Sequence, residues 1–571
     1  MSRHLPILDW ARAYDRGTLT SDLLAAVIVT IMLIPQSLAY AMLAGLPPEV
    51  GLYASILPLL AYAAFGTSRS LAVGPVAVVS LMTASAVGEF AAQGTADYLV
   101  AAAALALISG GMLVLMGLFR LGFLANFLSH PVISGFITAS GLLIAASQLR
   151  HVLGLPGGGN TLPQILRSLT AHASAVQPAA LAIGAGTIGF LYFARTRLRG
   201  ILIGFGLPPR PADMLTKAAP ILSVAVTIGL AITLDLGARG LALVGQVPPG
   251  LPPIGLPAIT IERVMTLAGP AFLIGIIGFV ESVSVAQTLA ARRRQRIHPD
   301  QELIGLGAAN IAAGLSAGYP VTGGFARSVV NYDAGAETPA AGIFTAIGIA
   351  LATLFLTPLF ASLPQATLAA IIIVAVLSLV DFRAIRRIHA YSRPDFAAMC
   401  ATICVTLLWG VEPGVVAGVL LSLALHLHRT SRPHMAVVGQ VPGCEHFRNV
   451  ERHDVLTDPE ILSLRIDESL YFANSRHLEN RISALVAERP ALKHVVLMCS
   501  AVNSIDASAL ESLEEINHRL KEAGIAFHLS EVKGPVMDRL RRTEFLDTLT
   551  GQVFLSQFDA FQTLKPTPFP A

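Results

Sequence analysis

The chemistry in this chain begins with charged residues placed where water should not reach. Glu281 lies within Gly278-Phe279-Val280-Glu281-Ser282-Val283-Ser284, inside an apolar run and eleven residues before Arg292, where an arginine cluster opens. A helix rising 1.5 Å per residue sets the carboxyl about 16 Å from that cluster, near the middle of a hydrocarbon layer of about 30 Å. A carboxylate at that depth must be protonated or paired with a cation. Both states suit a group that takes up and releases a proton, and an ion pair with Arg327 is the plainer alternative. Arg327 itself belongs to Thr322-Gly323-Gly324-Phe325-Ala326-Arg327-Ser328, and a second interrupted stretch reads Gly74-Pro75-Val76-Ala77-Val78-Val79-Ser80. A helix that starts inside a membrane leaves its first N–H groups unpaired, and those donors at the positive end of the dipole form an anion site. Arg327, in the first turn, adds a full charge and a fork that meets an oxyanion with two hydrogen bonds. The alternative is an arginine that snorkels to an interface. In Pro35-Gln36-Ser37-Leu38-Ala39-Tyr40 the proline removes a backbone hydrogen bond and sets Gln36 and Tyr40 one turn apart on one face. That pattern fits the wall of a cavity or a simple kink.

These residues need a membrane around them, and composition supplies it. Of 571 residues 54% are hydrophobic and 13% charged, with mean hydropathy +0.66. A soluble protein carries about 25% charged residues. Net charge is +3 and the basic residues are dispersed, which excludes a nucleic-acid partner. Four cysteines without metal-ligand spacing and scattered histidines predict no metal site, and no cofactor loop or catalytic constellation is present. The chain does not read as an enzyme. Apolar segments recur near 21–44, 50–66, 70–88, 98–119, 123–148, 175–195, 217–236, 264–290, 302–317, 322–333, 338–360, 366–380, 394–410 and 413–428. The reading is fourteen membrane segments, with 70–88 and 322–333 short or broken. They are the third and the tenth, seven apart. Such a matched pair predicts an inverted repeat, over 21–236 and 264–430, with a site at the midplane.

Basic residues orient the segments. Arg3, Arg12 and Arg16 precede the first, and Arg195, Arg197, Arg199, Arg210 and Lys217 follow the sixth. Arg292, Arg293, Arg294 and Arg296 follow the eighth, and Arg383, Arg386, Arg387 and Arg393 the twelfth. Lysine and arginine favour cytoplasmic loops, so both ends are expected inside a cell membrane, with 1–20 as a cytoplasmic N-terminus and no cleavable signal. The misfits are loop 149–174, on the opposite side, which holds Arg150 and Arg167, and the acidic inside loop with Asp333 and Glu337.

After 21–430 the text changes to short strands and amphipathic helices, so 440–571 is expected to be a small soluble α/β domain. Ile461–Ile466, Val495–Cys499 and Phe527–Val532 read as strands. Ser508–Ala523 reads as a helix capped by Ser508 with Glu511, and a further helix runs from Pro535 to about Leu549.

The motifs Pro35–Ala41, Ala44-Gly45-Leu46-Pro47-Pro48, Gly51-Leu52-Tyr53, Gly66-Thr67-Ser68-Arg69, Gly74-Pro75, Ser129–Phe136, Asn310, Gly324–Asn331 and Val502–Leu513 together resemble the SulP family of sulfate permeases and related anion transporters. The resemblance covers nearly the whole chain. It implies an all-α membrane domain of two intertwined seven-segment repeats, in which a core (segments 1–4 and 8–11) moves against a gate (5–7 and 12–14). A STAS domain follows, and members are typically homodimers. It maps an anion site onto Gln36, Tyr40, Val76, Ala77, Phe325, Ala326 and Arg327, with Glu281 as the proton-coupling residue. Many relatives carry serine at the position of Ala326, which leaves the substrate open. The implied function is proton-coupled symport of sulfate or a similar small anion. Dicarboxylate, bicarbonate or chloride are rival cargoes, and a membrane sensor signalling through the STAS domain is a rival class. Asp506-Ala507-Ser508-Ala509 resembles a loop phosphorylated in free-standing STAS proteins.

Overall fold

The computed structural model describes residues 5–127 and 129–565, so Arg3 and the tail 566–571 lie outside the described residues, and Arg210 is described in its backbone only. The chain divides into two compact units, Met1–Ser422 and Leu423–Ala571.

The first unit is helical. Its elements in order are α1 (Arg16–Leu43), α2 (Pro48–Tyr53), α3 (Leu57–Phe65), β1 (Val73–Gly74), α4 (Ala77–Gly88), α5 (Ala96–Leu118), α6 (His130–Leu153), α7 (Leu162–Ala171), α8 (Pro178–Phe193) and α9 (Ala219–Thr233). Then come α10 (Ile261–Arg292), α11 (Pro299–Leu315), β2 (Thr322–Gly323), α12 (Phe325–Asp333), α13 (Ala340–Phe355), α14 (Gln365–Leu377), α15 (Arg393–Trp409) and α16 (Val411–Ser431), which reaches into the second unit. Among the described residues eight helices are long and apolar enough to cross a membrane, or nine if the pair Pro211–Lys217 and Ala219–Thr233, bent by 51°, is one span. The stretches 70–88 and 322–333 are not such spans. Each is a two-residue strand followed by a helix, of 12 residues in α4 and nine in α12.

Small residues set the tightest helix crossing. A Cβ on Gly110 of α5 would stand 2.7 Å from the Gly307 carbonyl of α11, and one on Gly307 would stand 2.8 Å from the Gly110 carbonyl. The two backbones touch, as small residues permit where lipid offers no hydrophobic drive to association. Two buried carboxylates then tie loops to helices. Glu302 of α11, fully buried, accepts from Tyr62 Oη (2.7 Å), Thr67 N (2.7 Å), Thr67 Oγ1 (2.5 Å) and Ser68 N (3.0 Å). Asp22 of α1, also fully buried, accepts from Glu337 N (2.7 Å), Thr338 N (3.1 Å), Thr338 Oγ1 (2.5 Å) and Tyr14 Oη (3.2 Å). Neither was singled out above, although an acid inside an apolar segment is itself a signal.

The second unit is an α/β domain. A six-stranded sheet runs in the order β4-β3-β5-β6-β7-β8, from β3 (Met435–Gln440), β4 (Phe447–Asn449), β5 (Ile461–Ile466), β6 (His494–Met498), β7 (Ala526–Ser530) and β8 (Val553–Phe554). The run β5 to β8 is parallel, and β3 pairs antiparallel with β4 and β5. Helices α17 (Ser475–Ala487) and α18 (Ala507–Glu522) cover a core of Leu462, Leu464, Leu497, Leu513 and Phe527. Two readings need correction. The cap of α18 is Asp506, whose carboxylate accepts from Ala509 N at 2.8 Å, and Ser508 is an exposed residue inside the first turn. Asp506 wins because its second oxygen also accepts from Phe472 N (2.9 Å), anchoring the loop before the helix. The helix expected from Pro535 to Leu549 is two pieces, Gly534–Leu540 and Phe545–Thr548.

Two predictions follow from these packings. Glu302→Ala strips four donors of their acceptor, so the detergent-solubilised protein should lose ~3 kcal/mol or more, read as a fall in melting temperature that Glu302→Gln only partly reproduces. In the soluble domain His528 is buried, accepts from Gln552 N at Nδ1 (3.0 Å) and faces His494 Nδ1 through Nε2 (3.1 Å). Burial, then His494, pulls its pKa down from 6.5 to about 4. The unfolded chain takes up the proton first, so stability is full above pH 6.5 and falls as pH drops towards 4, by roughly 2–3 kcal/mol. His528→Gln should flatten that slope in pH-dependent unfolding of this domain.

Candidate functional site

The two broken stretches meet. β1 pairs antiparallel with β2, Val73 opposite Gly323 and Gly74 opposite Thr322. Each strand feeds a helix whose preceding residue, Val76 for α4 and Gly324 for α12, has no side-chain oxygen with which to cap it. The first helical bonds within each are Ser80 N to the Val76 carbonyl (2.9 Å) and Ser328 N to the Gly324 carbonyl (3.0 Å). The N–H groups of Ala77, Val78 and Val79 and of Phe325, Ala326 and Arg327 therefore stand ahead of the helical ladder. Lone donors of this kind, at two helix ends that share one short ribbon, are what an anion requires.

Arg327 joins the halves. Its side chain is 2% exposed; Nη1 donates to the Pro75 carbonyl (2.5 Å) and Nη2 to the Thr322 carbonyl (3.2 Å), while Nε has no partner among the described residues. Gly74 is necessary here. Its φ of +154° is a conformation that L side chains rarely adopt. Ser328 Oγ donates to the Gly324 carbonyl (2.7 Å) and accepts from Ala72 N (3.0 Å), and Asn331 Nδ2 reaches the Ser70 carbonyl (3.1 Å). Asn310 fixes the approach to β2 by bonding both polar groups of Val321, N–H and C=O, at 2.9 Å each. Ser282 Oγ meets Thr322 Oγ1 (2.7 Å) and accepts from Gly323 N (2.9 Å), so α10 holds the ribbon from behind.

Each residue singled out in the sequence has a definite place. Gln36 and Tyr40 are buried on α1, and neither side chain hydrogen-bonds to another described group. Ala77 is buried and Val76 partly so, while Phe325 and Ala326 are exposed at the α12 end, Phe325 at 48%. Glu281 is half-buried on α10 and lines a small crevice with Val132, Ile133, Phe136 and Ile137 of α6 and Val415 of α16. It forms no ion pair with Arg327, which overturns the plain pairing alternative; Arg327, Tyr40, Tyr319 and Glu281 are nonetheless electrostatic neighbours. Tyr319, which sequence reasoning missed, is fully buried with its Oη 3.0 Å from Ser80 Oγ. Among the described residues no group of histidine, cysteine and carboxylates could hold a metal ion.

Residues 19–402 match the family described as the Sulfate permease family, and residues 452–560 match the STAS domain. The chain is 35% identical to "Sulfate transporter 4.1, chloroplastic" of Arabidopsis thaliana, across 98% of this chain and 82% of that protein. It is 33% identical to "Probable sulfate transporter MT1781" of Mycobacterium tuberculosis, across 97% of both. Its fold is that of a chain described as the overall structure of SLC26A9, with TM-score 0.90 at 21% identity over 98% of this chain and 92% of that one. The transmembrane domain of the cyanobacterial bicarbonate transporter BicA superposes with TM-score 0.61 at 22% identity, over 71% of this chain and 98% of that one. A largely helical unit with several helices long and apolar enough to span a membrane, a STAS domain and matches of this extent place the chain in the sulfate permease family, a family of multi-pass membrane transporters and not of enzymes.

Proposed function

We propose that this protein is a secondary active transporter of sulfate or a similar small anion, coupled to protons. The observation that carries the reading is Arg327: a buried guanidinium, bound by neutral carbonyls alone, beside two uncapped helix ends. Its charge is left for a ligand. The names of the relatives support an oxyanion as that ligand. In this reading the anion rests against the N–H groups at Ala77 and at Phe325, Ala326 and Arg327. Gln36, Tyr40 and Val76 complete the wall, Gln36 and Tyr40 as donors. With alanine at 326, backbone N–H replaces the hydroxyl contact that serine would supply.

Glu281 supplies the coupling. Its apolar crevice disfavours the charged form, and the nearby Arg327 favours it. An anion bound at Arg327 withdraws that support and favours protonation, so anion and proton load together. The ribbon, α1 to α5 and α10 to α13 then move as a core against the remaining helices, which exposes the site alternately to each side. The chain is read as fourteen segments in an inverted repeat with both ends cytoplasmic, in a cell membrane, functioning as a homodimer.

Arg327→Lys keeps the charge but cannot reach both carbonyls, so sulfate uptake into proteoliposomes should fall at least ~10-fold. Unchanged uptake rejects the site. Glu281→Gln should abolish acceleration of uptake by an acid outside while leaving anion-induced thermal stabilisation intact; retained proton dependence rejects the coupling role. Competition of labelled sulfate with fumarate, succinate, bicarbonate and chloride assigns the cargo.

A further inference from the structure

Two arginines of loop 149–174, Arg150 and Arg167, contradict the charge pattern that orients the chain. Arg263 at the start of α10 pairs with Asp97 at the start of α5 (3.0 Å), and Tyr98 Oη donates to the Ala44 carbonyl just past α1 (2.7 Å). These ends share one face, and α10 reaches its arginine cluster at Arg292 on the other. Arg150, at the end of α6, belongs to the arginine-poor face. There it lines a cavity of about 120 Å³ between α1 and α4 on one side and α6 and α7 on the other. Gln93, Ser147, Gln148, Asn160 and Ser168 add polar groups to its wall.

The guanidinium is bound but not neutralised. Nε donates to His151 Nε2 (3.1 Å) and Nη1 to the Gly157 carbonyl, both neutral acceptors. Among the described residues no carboxylate lies within ion-pair distance of it; Asp97, the nearest acid in sequence before α6, is held by Arg263. The sequence has no Asp or Glu from 98 to 212, so nothing on α6, on α7 or on the loop between them opposes Arg150 and Arg167. Glu89 lies just past α4, whose own residues include no acid, and Asp22 of α1 is engaged by residues 337–338. Gly158 brings bare backbone to the guanidinium, for a Cβ there would stand 2.5 Å from Nη1. A water occupies ~30 Å³ in the liquid, so the cavity admits a partly hydrated oxyanion.

We propose that this cavity is a second anion site, where a small oxyanion such as sulfate is held by Arg150 and the amides of Gln93, Gln148 and Asn160 before it enters between the two helix groups. Its role as an entry site rests on the transport reading above. The binding is electrostatic and partly hydrated, so it concentrates substrate at the mouth and does not compete with the central site in affinity.

The test separates the two. In intact cells, Asn160→Cys is labelled with membrane-impermeant methanethiosulfonates of negative and positive charge, against the parent chain as background. Cys499 contributes nothing, since burial pushes its thiol up to about 12. Arg150→Gln should lower the ratio of anionic to cationic labelling rates by about three- to tenfold, and external sulfate should protect the cysteine saturably. In uptake, Arg150→Gln should raise KM for external sulfate with kcat unchanged. If Asn160→Cys fails to reach the surface, Gln93→Cys reports the same cavity. A labelling ratio that Arg150→Gln leaves unchanged overturns the site, as does protection by sulfate no better than by gluconate at equal ionic strength. If the ratio collapses as expected while the parent transports no anion, the cavity stands and the transport reading falls.

Discussion

Inside a bilayer every backbone N–H and C=O must find a partner within the protein, and that constraint shapes the centre of this molecule. Two chain segments abandon the helix at Val73–Gly74 and Thr322–Gly323 and satisfy one another as a two-stranded ribbon. Arg327 then takes up the Pro75 and Thr322 carbonyls that the ribbon leaves over. Hydrogen bonding is nearly complete while charge is not. A guanidinium matched by a carboxylate would be a silent structural element; matched by dipoles, it keeps its field and offers it to whatever negative group arrives.

The surroundings are built to hold that compromise still. Asn310, Ser282, Ser328 and Asn331 each grip the backbone of a strand or its flank, so the position of the guanidinium is set by four further side chains. Behind them the contact of α5 with α11 at Gly110 and Gly307 leaves no slack for the two helices to slide. The anion site proposed here would rest on orphan N–H groups and needs this stiffness, because a displacement of about 1 Å would spoil the hydrogen bonds it offers.

The sequence was most legible where it violated its own apolar pattern. Gly74-Pro75 and Gly323-Gly324 announced broken helices because neither pair continues a helical ladder, Arg327 stood out by its place in the first turn of one of them, and Glu281 by its depth. What could not be read was who meets whom. The Arg327–Pro75 contact joins residues 252 positions apart, and no local spacing encodes it. The ion pair with Glu281 was a reasonable expectation from charge, yet the carbonyls of the ribbon lie closer. Asp22 and Glu302 were overlooked because each stands near the end of an apolar segment, where a charge is easily assigned to solvent. In the soluble domain Ser508 fitted a capping pattern that Asp506, two residues earlier, fulfils, since its second oxygen has a distant donor in Phe472.

The two carboxylate clamps run crosswise. Asp22 belongs to the first half of the membrane unit and closes on residues 337–338 of the second, whereas Glu302 belongs to the second and closes on residues 67–68 of the first. During synthesis the leading half emerges from the ribosome with three of the four donors to its carboxylate missing and with a strand at Val73–Gly74 that has nothing to pair with. Neither half can complete its own hydrogen bonding alone, so the last knitting of the membrane unit waits until both halves are present.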